Sequence, residues 1–256
     1  MERSFRRVSA NGHAADHRRE VIDEWPVAIE VNGLGYAVMM ATPADLADFV
    51  TGFALSERIV DAPGDIHALD LFDGGQGVVA RLAVAPERAS ALSDRMRRRT
   101  GDSSCGLCGM DNLDAVHRAL PQVRRAAVAP AAVFAALGAM RDHQPLGRAT
   151  GAAHAALLCT PDGAIRLARE DVGRHNAFDK LIGAMALGGL GWDGGFALLS
   201  SRCSYELVEK AALAGCPMLV TVSAATSLAI ARAADVGLAL VSLARDDAVL
   251  FSDVAR

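Results

Sequence analysis

Aromatic side chains are scarce. Phe, Tyr and Trp make up 5% of the 256 residues, whereas hydrophobic residues make up 52%. A core of this chain must therefore be filled by Ala, Val and Leu. No apolar run reaches the roughly 18 residues that a membrane span requires, and the polar stretch Met1 to Glu20 contains no apolar h-region. Neither a membrane span nor a secretory signal is expected. The net charge of −4 gives no basic footprint for nucleic acid, and the basic run at 95–99 is too short to change that. The five cysteines are few and odd in number for a chain of this length. That argues against a disulfide framework and for reduced thiols, and a cytoplasmic location is expected. No repeat or low-complexity segment is found.

Two of those cysteines stand apart. In Arg97-Arg98-Arg99-Thr100-Gly101-Asp102-Ser103-Ser104-Cys105-Gly106-Leu107-Cys108-Gly109, two thiols lie three positions apart among small residues. Nearby cations and a following helix N-terminus both lower a thiol pKa, and the thiolate is the reactive form. Gly101, Gly106 and Gly109 leave the backbone free to move. The spacing fits an activated dithiol on a mobile loop at 100–111. It fits half of a structural zinc site equally well. A nucleobase deaminase would show His-x-Glu followed by Pro-Cys-x-x-Cys. The proline is missing here, and no His-x-Glu precedes the cysteines. Cys159 and Cys216 sit in or beside apolar strands and read as core residues, whereas Cys203, His154 or His175 could complete a metal site.

Hydropathy patterning divides the chain into a flexible tail at 1–24, a small α+β N-terminal domain at 25–99, the cysteine loop, and an α/β main domain at 112–256. In the first domain strands are expected at 26–32, 36–42, 66–72 and 77–85. A helix capped by Thr42, with Pro43 at its first position, should run to Val60, and a second helix should cover 86–99. Helices at 113–120 and 130–141 and a hairpin at 152–159 and 164–169 follow. Helices at 174–187, 205–214 and 227–234 then alternate with apolar strands at 196–200, 218–223, 238–243 and 248–251. Apolar strands separated by helices imply a mostly parallel sheet covered on both faces.

Ligands of such sheets bind at the carboxyl ends of the strands. Three of these ends are polar: Ser200-Ser201-Arg202-Cys203-Ser204, Ser223-Ala224-Ala225-Thr226, and Ser242 to Asp247. Hydroxyl-bearing turns that open helices, together with arginines, suit phosphate or another anion. Arg202, Ser223 and Thr226 are the candidates, although Ser204 and Thr226 would also serve as plain helix caps. The segment Arg169 to Lys180 packs eight polar side chains into twelve positions. It suggests a functional site, with His175 and Asp171 placed for orientation or proton transfer. Gly189-Leu190-Gly191-Trp192-Asp193-Gly194 fits Gly-x-Gly-x-x-Gly, but it follows a helix and precedes a strand, the reverse of a dinucleotide fingerprint.

Taken in order, Cys105-Gly106-x-Cys108-Gly109, Thr150-Gly151-x-x-His154-x-Ala156, Arg169 to Asn176 with Ala177-x-Asp179-Lys180, Ser201-Arg202-x-Ser204-Tyr205-Glu206, and Val222 to Thr226 resemble the formate dehydrogenase accessory sulfurtransferase family, FdhD. The resemblance runs from about Pro26 to the C-terminus. It implies a cytidine-deaminase-like α/β/α main domain and a cytoplasmic, homodimeric sulfur carrier. Such a protein accepts persulfide sulfur from a cysteine desulfurase. It passes that sulfur to the molybdenum bis(molybdopterin guanine dinucleotide) cofactor, bound as a substrate, for the formate dehydrogenase catalytic subunit. On this likeness Cys105 carries the persulfide and Cys108 is its partner. Leu243, Ala244, Arg245, Asp246 and Asp247 fall on the cofactor-binding segment; Arg202, Ser223 and Thr226 are added to that set from the anion argument, and His175 from the polar segment at 169–180. No tightly bound metal is expected. The family usually has glycines where this chain has Ala152 and Ser201, and Gly-Arg where it has acids after Arg245. The other reading is a zinc- or nucleotide-binding protein without sulfur-transfer chemistry.

Overall fold

In a computed structural model, residues 1–88 and 118–252 are described. Cys105, Cys108, Arg97 to Arg99 and the expected loop at 100–111 lie outside them, as does most of each expected helix at 86–99 and 113–120. Residues 86–88 are helical, whereas 118–129 have no regular structure.

The first 24 residues, expected as a tail, form a hairpin. Strand β1 (Glu2–Val8) pairs antiparallel with β2 (Ala14–Glu20). The three-residue loop Ala10-Asn11-Gly12 closes through Gly12 N–H to Ser9 O and Ser9 N–H to His13 O, with Gly12 at φ 83°. Asn-Gly is a strong short-range hairpin signal. It escapes a reading based on hydropathy, because neither strand has an apolar face.

A four-stranded sheet follows, in the order β4-β3-β6-β5, made of β3 (Trp25–Val31), β4 (Leu34–Ala41), β5 (Ala68–Asp73) and β6 (Val78–Ala83). Helix α1 (Leu46–Ser56) packs Phe49, Val50 and Phe53 on its inner face. Thr42 does not cap this helix, because its hydroxyl instead accepts a bond from Val172 N–H across the junction between the sheets. The helix starts four residues later, after Asp45 in a left-handed conformation (φ 53°).

The second sheet has six strands in the order β12-β11-β10-β9-β7-β8. These are β7 (His154–Cys159), β8 (Ile165–Asp171), β9 (Phe196–Leu199), β10 (Met218–Thr221), β11 (Ala239–Ser242) and β12 (Leu250–Phe251). Strands β9, β10 and β11 run parallel, while β7, β8 and β12 make antiparallel pairs, so the sheet is mixed rather than mostly parallel. The hairpin turn at Pro161 to Gly163 reverses the chain where a crossover helix would have kept it parallel.

Alternate strand residues face opposite layers. Leu158, Ala197, Leu199, Leu219 and Leu240 pack on α4 (Arg174–Leu187), α5 (Tyr205–Leu213) and α6 (Ser227–Asp235). Leu157, Leu198, Val220 and Val241 pack on α2 (Pro130–Met140). The remaining helix, α3 (Pro145–Thr150), leads into β7. The result is the expected α/β/α main unit beside a small α+β unit.

The two units are joined at α1 and α4. Gly52 and Gly183 face each other there, and a methyl group added to Gly52 would lie 1.8 Å from Asp179 O. Arg169 Nε reaches Asp48 Oδ2 at 2.7 Å, and Asp179 accepts from Ser56 Oγ at 2.7 Å and from Lys210 Nζ at 2.8 Å.

Candidate functional site

A cavity of about 930 Å³ opens beyond the carboxyl ends of β10 and β11, the edge of an α/β sheet where ligands bind. Ala244, Arg245, Asp246 and Asp247 form one wall beside Val222. Leu243 takes a left-handed backbone (φ 50°), and its N–H bonds Ser223 O at 3.2 Å. Ala244 N–H bonds Thr221 O at 3.1 Å, which fixes the segment to the end of β10. A further bond, Arg245 N–H to Ala248 O, closes the turn that presents Arg245, Asp246 and Asp247 to solvent.

Three more arginines line the cavity: Arg19 of the hairpin, Arg141 after α2, and Arg148 on α3. Glu170 places α3. Its carboxylate accepts Leu146 N–H at 2.8 Å and Gly147 N–H at 2.7 Å, satisfying two donors at the start of the helix. Arg148 donates to Arg141 O at 2.6 Å and Arg19 to Thr150 O at 2.7 Å, both neutral acceptors. The guanidinium charges therefore stay available. Four arginines against two aspartates make the rim net cationic, which suits a phosphate-bearing ligand.

The other expected cofactor residues lie elsewhere. Leu243, just before the lining segment, and Arg202, Ser223, Thr226 and His175 do not line this cavity. Thr226 caps α6, accepting from Ala229 N–H at 3.2 Å. Sequence reasoning missed Arg19, Arg141 and Arg148, because each becomes part of the site only through tertiary placement.

The polar block 169–180 is mainly a junction. Asp171 is fully buried, and its carboxylate accepts from Lys180 Nζ at 2.7 Å, Thr42 N–H at 2.9 Å, Gly173 N–H at 2.8 Å and Asn176 Nδ2 at 3.0 Å. With its acceptor positions used and no exposure, Asp171 holds structure and has no path to a substrate proton.

His175 and Arg174 do reach a partly open place. His175 Nε2 lies 3.4 Å from Ser204 Oγ and 3.9 Å from Glu206, and His154 Nδ1 lies 3.5 Å from Ser200 Oγ. Arg174 Nε is sealed from solvent without a hydrogen-bond partner among the described residues. Burial pushes the His175 imidazole down to about 3, helped by the positive charges of Lys210 and Arg174. His154 is lowered for the same first reason, burial. Both rings are neutral at pH 7.

The depressed His175 value carries a stability cost in acid. The folded state refuses a proton that the unfolded chain takes up below about pH 6.5, so stability is complete above that value and falls as the pH drops toward 3. The loss from this group should approach about 1.4 kcal/mol per pH unit. In urea titrations at stepped pH, His175→Gln should flatten the curve between pH 6 and 4 relative to the native chain. Parallel curves would mean that His175 is solvated.

The described cysteines are not reactive. Cys159, Cys203 and Cys216 are free and buried, and burial raises each thiol to about 12. Among the described residues no three His, Cys, Asp or Glu side chains gather as a metal site, and no helix is long and apolar enough to cross a membrane.

Known proteins resemble this chain over nearly its whole length. It is 45% identical over 247 residues to the sulfur carrier protein FdhD of Xanthomonas campestris pv. campestris strain B100, covering 96% of this chain and 88% of that protein. It is 42% identical over 245 residues to the sulfur carrier protein FdhD of Bordetella petrii, covering 95% and 88%. Its fold matches a crystal structure described as a formate dehydrogenase accessory protein from Desulfotalea psychrophila, with a TM-score of 0.77 and 22% identity over 99% of this chain and 96% of that one. The FdhD/NarQ family model matches residues 22–256, and with relatives of this identity along most of its length the chain belongs to the FdhD/NarQ family.

Proposed function

We propose that this protein is a sulfur carrier, a persulfide-relaying sulfurtransferase that loads Cys105 from a cysteine desulfurase and serves the molybdenum bis-guanine-dinucleotide cofactor of formate dehydrogenase. The observation that carries the reading is the 45% identity, along 247 residues, to a protein named as a sulfur carrier. The buried thiols support it by elimination. With Cys159, Cys203 and Cys216 held as inert thiols, the nucleophile falls to the Cys105–Cys108 pair, which also has the sequence setting of an activated thiolate.

In the loading step the Cys105 thiolate attacks the terminal sulfur of the donor's cysteine persulfide. A new sulfur–sulfur bond forms at Cys105, the donor's breaks, and the donor cysteine leaves as a thiolate. The arginine-rimmed cavity is the place for the nucleotide phosphates of the acceptor cofactor, with Arg19, Arg141, Arg148 and Arg245 as charge partners. Asp246 and Asp247 repel phosphate, so seating beside Arg19, Arg141 and Arg148 is favoured over seating beside the two acids. The protein is expected to work as a homodimer in the cytoplasm.

The test is intact mass after incubation with a cysteine desulfurase and cysteine. The native chain should gain one sulfur atom, removable by reductant. Cys105→Ala should gain none, whereas Cys108→Ala should still load. No gain on the native chain would overturn the relay and return the cysteine pair to a metal-binding or structural role.

A further inference from the structure

The N-terminal hairpin precedes residue 22, where the match to the family model begins. Its strand register sorts the charges by face. Residues paired across an antiparallel ladder share a face, and the face alternates along each strand. Arg3 pairs with Arg19, Phe5 with His17 and Arg7 with Ala15, so these six share one face. Glu2 with Glu20, Ser4 with Arg18, Arg6 with Asp16, and Val8 with Ala14 share the other.

All three acids of the two strands are on the second face, where Arg18 and Glu2 form an ion pair at 3.5 Å. The first face has cations and one aromatic ring, with no acid. Arg3 and Arg7 have no ion-pair or hydrogen-bond partner among the described residues. Like charges directly opposite each other destabilise a ladder, and a lone two-stranded hairpin is marginal in water. The Arg3–Arg19 pairing is thus an uncompensated repulsion in an element that has little stability to spare. It makes sense where an anion lies between the two side chains.

Position says which anion. Arg19 belongs to this face and also lines the cavity, and its Nη2 is anchored on Thr150 O at the end of α3. The cationic face therefore continues from the cavity rim, with successive side chains roughly 7 Å apart along each strand.

We propose that this face of the hairpin is a phosphate clamp, formed by Arg3, Arg7, His17 and Arg19, which holds the part of a polyphosphate-bearing nucleotide ligand that overhangs the cavity. The assignment rests on the reading of the cavity as a nucleotide-phosphate site. A ligand whose phosphates fit inside the cavity needs only the inner arginines. One with a longer polyanionic bridge gains the hairpin contacts as well, and its binding should weaken more steeply with salt.

Calorimetric titrations of the full-length protein with two probes test this. Guanosine diphosphate represents the short ligand and a diguanosine tetraphosphate the long one. Arg3→Gln/Arg7→Gln should weaken the long probe about tenfold, a modest loss for two charge-assisted contacts, and should flatten its salt dependence, leaving the short probe within about twofold. Arg6→Gln/Arg18→Gln removes the same net charge from the opposite face of the same hairpin and should leave both probes unchanged. Equal weakening by the two double variants would reduce the effect to a general field and overturn the clamp. No weakening by either would also overturn it and leave the face to an acidic protein partner. If the native chain binds neither probe, the cavity reading itself fails and the clamp falls with it. Binding of the short probe that is lost in Arg148→Gln keeps the cavity reading, whatever the hairpin does.

Discussion

Gly52→Ala should cost the protein at least about 3 kcal/mol, at the upper end of what overpacking does, although the same change in an open helix stabilises. In a helix interior alanine is favoured over glycine by about 1 kcal/mol. Against that, the new methyl group would sit 1.8 Å from Asp179 O, 2.6 Å from its carbonyl carbon and 2.9 Å from Gly183 N. All three are backbone atoms of α4, so no side chain can swing away. The helices must separate, and the interface they share joins the four-stranded sheet to the six-stranded one. Gly183→Ala meets the mirror-image obstacle, Asp48 O at 1.9 Å and Gly52 N at 2.7 Å. Gly138, in α2, has no atom of the described residues within 4 Å of the position a methyl group would take. Gly138→Ala should therefore raise stability by about 0.5–1 kcal/mol. Urea unfolding of the three variants decides the matter through the sign difference between Gly138 and the other two. If Gly52→Ala and Gly183→Ala are neutral, the two helices do not meet backbone to backbone.

That crossing also shows what the sequence conceals. The main unit was legible because its strands are short, continuous apolar runs, and Phe196 to Leu199, Met218 to Thr221 and Ala239 to Ser242 all form where expected. Helix α4 was legible to the residue, because Gly173 precedes it and Gly188 ends it. The β7–β8 hairpin was legible too, from its Pro-Asp-Gly turn, but the antiparallel pairing of β7 with β9 and of β12 with β11 was not, since pairing direction depends on which connection crosses the sheet. The N-terminal hairpin was missed because its strands alternate between two charged faces, so hydropathy carries no period there. The segment Ala244 to Asp247 lines the cavity, but the three other arginines of its lining come from residues 19, 141 and 148, and nothing local marks them. The polar density of 169–180 marked a real feature whose nature it could not specify. A run of charges before a helix looks the same whether it faces a ligand or closes a junction. One clue was available: the chain has only two lysines against 24 arginines. Both lie in ion pairs with aspartates of the same region, Lys180 with Asp171 and Lys210 with Asp179.

Lys180→Met is expected to be the other severe lesion, at about 3–5 kcal/mol, the range for removing one partner of a buried ion pair. Lys180 and Asp171 are both fully buried. The ammonium is satisfied by the Asp171 carboxylate at 2.7 Å, Thr42 O at 3.0 Å and Glu170 O at 3.4 Å. Methionine matches the length of the stem but supplies no charge, so Asp171 keeps its negative charge in a water-free site with only neutral donors. Asp171→Asn alone should also be costly, because the lysine is then stranded and the amide presents an NH2 group to donors. The double variant Asp171→Asn/Lys180→Met removes both charges. Its loss should fall well short of the sum of the single losses, by a coupling of 0.5–3 kcal/mol typical of directly contacting groups. Strict additivity in a urea double-mutant cycle would mean that the pair is not a unit. The consequence reaches the cavity by a short route. Asp171 also holds Thr42 N–H, and its neighbour Glu170 holds the start of α3, which carries Arg148. A loosened junction should therefore shift the arginine wall, so Lys180→Met should weaken guanosine diphosphate binding even under conditions where the protein remains folded. Binding unchanged in a folded Lys180→Met protein would mean that the junction and the cavity are mechanically independent.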